Sequence, residues 1–204
     1  MTEVLHLRSR DARRVPWKNG RGFTDELALA PAGASFERGD FDLRISRATV
    51  DEPGPFSAFP GFDRVLVVVH GEALVLLHGT HAPRARLRRL EPHRFSGDWP
   101  TTAELPRGAI GDFNVLTRRG RCSADVQALA LAQRRARETA EAAQVFVHVL
   151  SGALSVRISG EDAPFELLEA ESLWIRGARP SDELDIAGAS SDASLLIVRV
   201  RNEG

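Results

Sequence analysis

Several side chains in this 204-residue chain have the chemistry to grip an anion. Arg64 opens the apolar run "RVLVVVHGEALVLLHG" (64–79). A cation entering a buried strand is costly unless it is paired or serves a ligand. Its neighbour Asp63 points to the opposite face of a strand and so is not its partner. Arg44 and Ser46 occupy the polar side of "FDLRIS" (41–46), and Asn114 sits between Phe113 and Val115. If those sides face a barrel interior they are ligand groups; if they face water they are surface. A guanidinium holds a carboxylate through two parallel bonds, whereas an ammonium acts as a point charge.

Lys18 is the only lysine in the chain and lies in "WKNGRG" (17–22). Asn19-Gly20 is a turn signal, because both residues tolerate positive φ. Two readings follow. The segment is an ordinary exposed turn with Trp17 over a core edge, or it is a ligand-facing loop whose N–H groups and Lys18 approach an anion. It lacks the spacing of a phosphate-binding P-loop. A second loop, "VDEPGPFSAFPGFDRVL" (50–66), is dense in Pro, Gly and Phe and reads as a barrel cap built on Phe56 and Phe59.

Metal chemistry finds little support. The histidines are His6, His70, His78, His81, His93 and His148, with no His-x-His pair. His78 and His81 are three apart, which on a strand puts them on opposite faces. These histidines are therefore expected in turns and at the surface, with no metal and no other cofactor. There is no Gly-x-Ser-x-Gly elbow. The single Cys122 excludes an internal disulfide and a cysteine-rich zinc site. An acid–base pair such as Asp112 with Glu26 stays available, though nothing local requires it.

The elements that position these residues read as strands. "FDLRIS" and "DFNVLT" (112–117) alternate apolar and polar residues, as half-buried strands do. "VFVHVLSGALSVRISG" (145–160), "ESLWIRG" (171–177) and "SLLIVRVR" (194–201) continue the series, with Pro and Gly between runs. "SADVQALALAQRRARETAEAAQ" (123–144) begins as a strand, and its Ala-, Arg- and Glu-rich second half reads as a short helix or linker. Sliding the chain by 81 positions puts Gly71 on Gly152 and Gly79 on Gly160, an echo that suggests duplication. Two sets of short antiparallel strands suggest a pair of jelly-roll barrels. The formal net charge of −1 argues against nucleic acid as a partner. No apolar run reaches membrane-spanning length, and the N-terminal residues lack the apolar core of a secretory signal. A cytoplasmic protein without membrane partners is expected.

The motifs "WKNGRGFTDEL", "DLRISRATV", "GPFSAFPGFDRVL" and "FSGDW" followed by "GDFNVLTRRG" resemble, in order and spacing, the signatures of the HutD/Ves family. The resemblance covers roughly residues 15–120; beyond that only the strand pattern matches. Arg21 departs from it, standing where the family's loop has a glycine. The family implies an all-β, two-lobed cupin (a bicupin of RmlC-like jelly rolls) with few short helices. The expected lobes are 1–125, carrying the pocket, and 126–204. The family further implies a small-carboxylate ligand such as urocanate or formylglutamate, and a regulatory or sensing role in histidine utilisation. A metal-independent isomerase or hydrolase is the alternative. The candidate ligand set is Trp17, Lys18, Asn19, Thr24, Arg44, Ser46, Phe56, Ser57, Arg64 and Asn114, with a homodimer admitted.

Overall fold

The computed structural model describes residues 2–17 and 23–203. Nearly all of them lie in antiparallel strands and their turns; the 3-10 turn Ser9–Asp11 is the helical element among the described residues. The chain divides into two compact units. One runs from Ala12 to Ser123; the other joins Ala124–Glu203 with the N-terminal residues through Asp11. The N-terminal segment is recruited by strand pairing: Glu3–Leu7 lies against Ser172–Arg176, with Leu5 opposite Trp174.

In the first unit a six-stranded sheet runs Arg13–Pro16, Phe23–Ala30, Leu43–Val50, Ile110–Arg118, Phe62–His70, His93–Ser96 from edge to edge. A four-stranded sheet, Gly54–Pro55, Thr102–Glu104, Ala73–Leu77, Ala85–Arg88, completes it. The inner face follows from the side chains that meet between the sheets. Leu66, Val68 and Ile110 of the larger sheet form one buried cluster with Leu74, Leu76, Leu87 and Ala103 of the smaller. A second apolar cluster, Phe41, Phe62 and Leu116 with Phe36 and Phe59 against it, lies in the same unit.

The second unit repeats the plan. Its five-stranded sheet is Glu3–Leu7, Ser172–Arg176, Gln144–Ser151, Ser194–Asn202, Cys122–Ala130, and its four-stranded sheet is Arg135–Thr139, Glu183–Gly188, Ala153–Ile158, Phe165–Leu168. The repeat is closest at a bulge. Ile110–Arg118 and Phe62–His70 slip register between Gly111 and Asp112. Gln144–Ser151 and Ser194–Asn202 slip between Val149 and Ser151. Each bulge leads to a glycine at positive φ, Gly71 at 82° and Gly152 at 73°. A Cβ on Gly71 would come within 2.7 Å of the Ala109 carbonyl oxygen, so glycine is required there. The 81-residue echo holds up to these glycines and then loses one residue. Ala73 with Leu74 pairs with Arg88 and Leu87, as Ala153 with Leu154 pairs with Leu168 and Leu167. Two residues on, Leu90 and Ala170 share φ of 66°.

The expected helix or linker around 133–140 is instead the strand Arg135–Thr139, paired with Glu183–Gly188. Its residues alternate exposed and half-buried, and Glu138 meets the buried Arg199 at 2.7 Å. Cross-strand pairing and that ion pair override the helical leaning of Ala, Arg and Glu.

Candidate functional site

The inner face of the first unit carries a polar band between its two apolar clusters. Along Ile110–Arg118, the side chains of Asp112, Asn114 and Leu116 share one face. The register sets Ser46 and Leu66 beside Asn114, Ala48 and Val68 beside Asp112, and Arg44 and Arg64 beside Leu116. One strand further out, Glu26 lies beside Ser46, His93 beside Leu66, and Phe95 beside Arg64. Glu26, Arg44, Ser46, Arg64, Asp112 and Asn114 are all buried.

The two arginines differ in kind. Arg44 donates from Nε to Glu26 Oε2 at 2.9 Å, and its guanidinium lies 4.1 Å from the Phe36 ring centre. Its charge is met inside the protein. Arg64 donates from Nε to Asn114 Oδ1 at 2.7 Å. Among the described residues nothing accepts a hydrogen bond from its two Nη atoms, and no carboxylate forms an ion pair with it. Phe56, Phe95 and Phe59 surround the guanidinium at 4.8, 5.4 and 6.0 Å. Burial draws the Arg64 pKa down to about 10, against the opposing pull of Asp112. It stays charged at neutral pH, largely buried, with its outer fork unused among the described residues.

Asp112 is the countercharge. Burial pushes its pKa up to about 6; the Arg64 charge, the Asn114 amide and the Ala48 backbone N–H pull the other way and are outweighed. Its Oδ1 is buried with no hydrogen-bond partner among the described residues. A buried carboxylate oxygen with nothing to accept from is a costly arrangement, and such atoms mark functional places.

Two histidines complete the band. His78 lies just beyond Ala73–Leu77 and is fully buried, and His93 is half-buried. Their Nε2 atoms are 3.3 Å apart, and His78 Nδ1 is 3.0 Å from Thr101 Oγ1. Thr101 donates its hydroxyl to the Trp99 carbonyl at 3.1 Å, so it accepts from His78 Nδ1–H. That assigns the proton between the rings to His93 Nε2 and leaves His93 Nδ1 with a lone pair. Burial lowers both pKa values, that of His78 further through His93 and Arg64, so the pair is neutral at pH 7. The expectation of turn and surface histidines is thus corrected for His78, and for His148, which is buried and 2.8 Å from Ser172 Oγ. His6, His70 and His81 are exposed. Among the described residues no three His, Cys, Asp or Glu side chains gather as a metal site.

Of the sequence-derived candidates, Arg44, Ser46, Arg64 and Asn114 meet on this face. Trp17, Phe56 and Trp99 pack half-buried against the adjacent apolar cluster. Trp17 donates from Nε1 to Thr24 Oγ1 at 2.9 Å, which fixes the indole over the strand end. Ser57 is exposed in the segment after Gly54–Pro55. Lys18, Asn19 and Arg21 lie outside the described residues. Sequence reasoning expected His78 and His93 in turns or at the surface and did not single out Thr101; the contacts between them join residues 15 and 23 apart in sequence.

The second unit supplies an internal control. Counting from the bulge, Asp112 answers to Leu195, Asn114 to Ile197 and Arg64 to Val145. By sheet register, His93 answers to Leu173 and His78 to Ile158. All five counterparts belong to one buried apolar cluster. In the opposite sense, the buried Arg199 answers to the apolar Leu116. It is consumed by Thr139 O, Gln127 Oε1 and Glu138 Oε2 at 3.1, 2.8 and 2.7 Å. Where one barrel keeps an arginine, an acid, an amide and two imidazoles, the five answering positions of the other carry only hydrocarbon. Stability alone would favour the hydrocarbon.

These features define a two-lobed cupin in which the first lobe holds the polar interior. The chain belongs to the HutD family, whose sequence model matches residues 9–193. It is 37% identical over 147 residues to the protein Ves of Cronobacter sakazakii, covering 70% of this chain and 76% of that protein. It is 36% identical over 116 residues to an uncharacterised 21.2 kDa protein of the hutC 3' region of Pseudomonas putida, covering 57% and 59%. The solved structure of HutD from Pseudomonas fluorescens SBW25, obtained in a formate condition, superposes with a TM-score of 0.80 at 28% identity, over 99% of this chain and 100% of that one.

Proposed function

We propose that this chain is a binding protein for a small carboxylate metabolite, held in the interior of its first lobe. The observation that carries the reading is Arg64: buried, charged, ringed by three phenylalanines, and with an unused outer fork among the described residues. Its replacement by Val145 in the companion lobe argues that it is kept for a ligand rather than for folding. In this reading Arg64 clamps the carboxylate, while Ser46 and Asn114 read polar edges. Trp17 and Phe56 cover the remainder, with Thr24 holding Trp17. Ser57 would approach from the segment after Gly54–Pro55; Lys18 and Asn19, outside the described residues, remain in the proposed ligand set. Arg44, neutralised by Glu26, serves as scaffold. The names of the hutC-region relative and of the Pseudomonas HutD homologue support a link to histidine utilisation; to that link we add a sensing or regulatory role with urocanate or formylglutamate-type acids as ligands.

Thermal melting with formate, urocanate and N-formylglutamate, against formamide as an uncharged control, tests this. A ligand that binds only the folded state raises the melting temperature by mass action. A rise with at least one acid and none with formamide is expected; no rise with any acid at about ten millimolar overturns the proposal. A second reading draws on Asp112, an acid whose raised pKa suits proton transfer. It makes the chain a metal-independent isomerase or hydrolase of a small organic acid. Product formation under the same conditions would favour that alternative.

A further inference from the structure

We propose that the site binds its anion together with one proton, and that Asp112 is the residue that takes the proton. This rests on the carboxylate-binding reading above and adds to it a linkage.

In the free protein the interior holds one countercharge for Arg64, the Asp112 carboxylate, whose Oδ1 has nothing to accept from among the described residues. When a second carboxylate reaches the outer fork of Arg64, two anions share the field of one guanidinium, since Asp112 lies two residues along the strand from the Asn114 that holds Arg64. Two carboxylates buried around a single cation do not both stay ionised. One proton resolves the conflict. Asp112 becomes neutral, and a protonated Oδ1 becomes a hydroxyl donor. The orphaned oxygen then gains a role: it donates to the bound anion, in the acid–carboxylate pairing that two carboxyl groups adopt when they share a proton.

The other charged groups around Asp112 do not serve as well. From the strand Leu43–Val50, Arg44 is present, but it and Glu26 of the adjoining strand neutralise each other at 2.9 Å. From Phe62–His70 comes Arg64 itself, which stays protonated. From the neighbouring strands come His78 and His93. His78 is committed to a directional chain ending at the Trp99 carbonyl, and a proton on its Nε2 would break its bond from His93; His93 keeps a lone pair on Nδ1, so its part is tested by His93→Gln below. In the companion lobe Leu195 stands where Asp112 does, so the titrating group is absent along with the rest of the site. The ligand class narrows accordingly. It presents an anionic carboxylate to Arg64 and an acceptor oxygen within reach of Asp112, and it excludes cations.

The test is isothermal titration of formate and N-formylglutamate, both of which remain ionised between about pH 5.5 and 8.5. Measurements in buffers of differing ionisation enthalpy count the protons taken up. The parent is expected to take up close to one proton per ligand near pH 7.5 and progressively fewer below about pH 6. Its affinity should fall about tenfold per pH unit on the alkaline side. Asp112→Asn should bind with a flat pH profile, without proton uptake, and more tightly than the parent at pH 8. His93→Gln should keep the parent's slope. If neither acid binds the parent at any pH, the carboxylate-binding reading itself fails. If an acid binds with no proton uptake, or if Asp112→Asn keeps the slope, binding stands and this inference is overturned.

Discussion

Arg64 donates to Asn114 across neighbouring strands, Nε to Oδ1 at 2.7 Å, and this bond holds the arginine by its inner nitrogen. A guanidinium held by its inner nitrogen loses rotational freedom before any ligand arrives, so less entropy is lost on binding.

Arg64→Lys should therefore weaken carboxylate binding by about ten- to a hundredfold. A point charge replaces a two-bond grip worth roughly 1.5–3 kcal/mol. Titration calorimetry reads this directly, and unchanged affinity would place the carboxylate elsewhere.

Arg44→Ala should act on stability. It strands Glu26 as a buried anion, and breaking a buried pair in this way typically costs about 3–5 kcal/mol. A fall in denaturant midpoint is expected, while the double variant Arg44→Met with Glu26→Leu should recover most of it. Retention of stability in Arg44→Ala would show the pair to be dispensable.

Asp112 predicts the acid side of the stability curve. Its folded pKa of about 6 stands above its ordinary value of 3.8. The folded state thus binds more protons than the unfolded in that window. The contribution is full below about pH 4 and is lost as pH rises through about 6. Roughly two pKa units correspond to about 3 kcal/mol. Asp112→Asn should remove that loss, raising stability at pH 7 and flattening its slope between about pH 4 and 6. A parent slope that persists in the variant would contradict it.

Arg199 is the counterpart case. Three acceptors consume its guanidinium, among them Glu138. Arg199→Met should lower the melting temperature by several degrees. The affinity of the folded fraction for carboxylates should not change.

The histidine pair has a spectroscopic signature. Nitrogen NMR should find His78 protonated at Nδ1 and His93 at Nε2, both neutral at pH 7 because burial lowers their pKa values. Charged imidazoles at that pH would contradict the assignment.

Much of the fold was legible because its signals are local. Alternation in "FDLRIS" and "DFNVLT", and glycines between apolar runs, depend on neighbours alone. Arg64 stood out because a cation in a buried run conflicts with its surroundings. What escaped depends on register between distant strands. Glu26 and Arg44 are separated by 18 residues, and His78 and His93 by 15. Only sheet pairing shows that Arg44 is spent and Arg64 is not. The strand Arg135–Thr139 was hidden by helix-favouring composition. The N-terminal strand could not be placed from sequence, since nothing in "EVLHL" names Ser172–Arg176 as its partner.

The central claim concerns where the carboxylate sits, and a crystal structure of the chain grown with N-formylglutamate and without other organic acids tests it most directly. The account predicts a carboxylate within hydrogen-bond distance of both Arg64 Nη atoms, inside the barrel of residues 12–123, with the companion barrel unoccupied. A ligand bound in the companion barrel, or one inside the first barrel that leaves the Arg64 fork untouched, would contradict it.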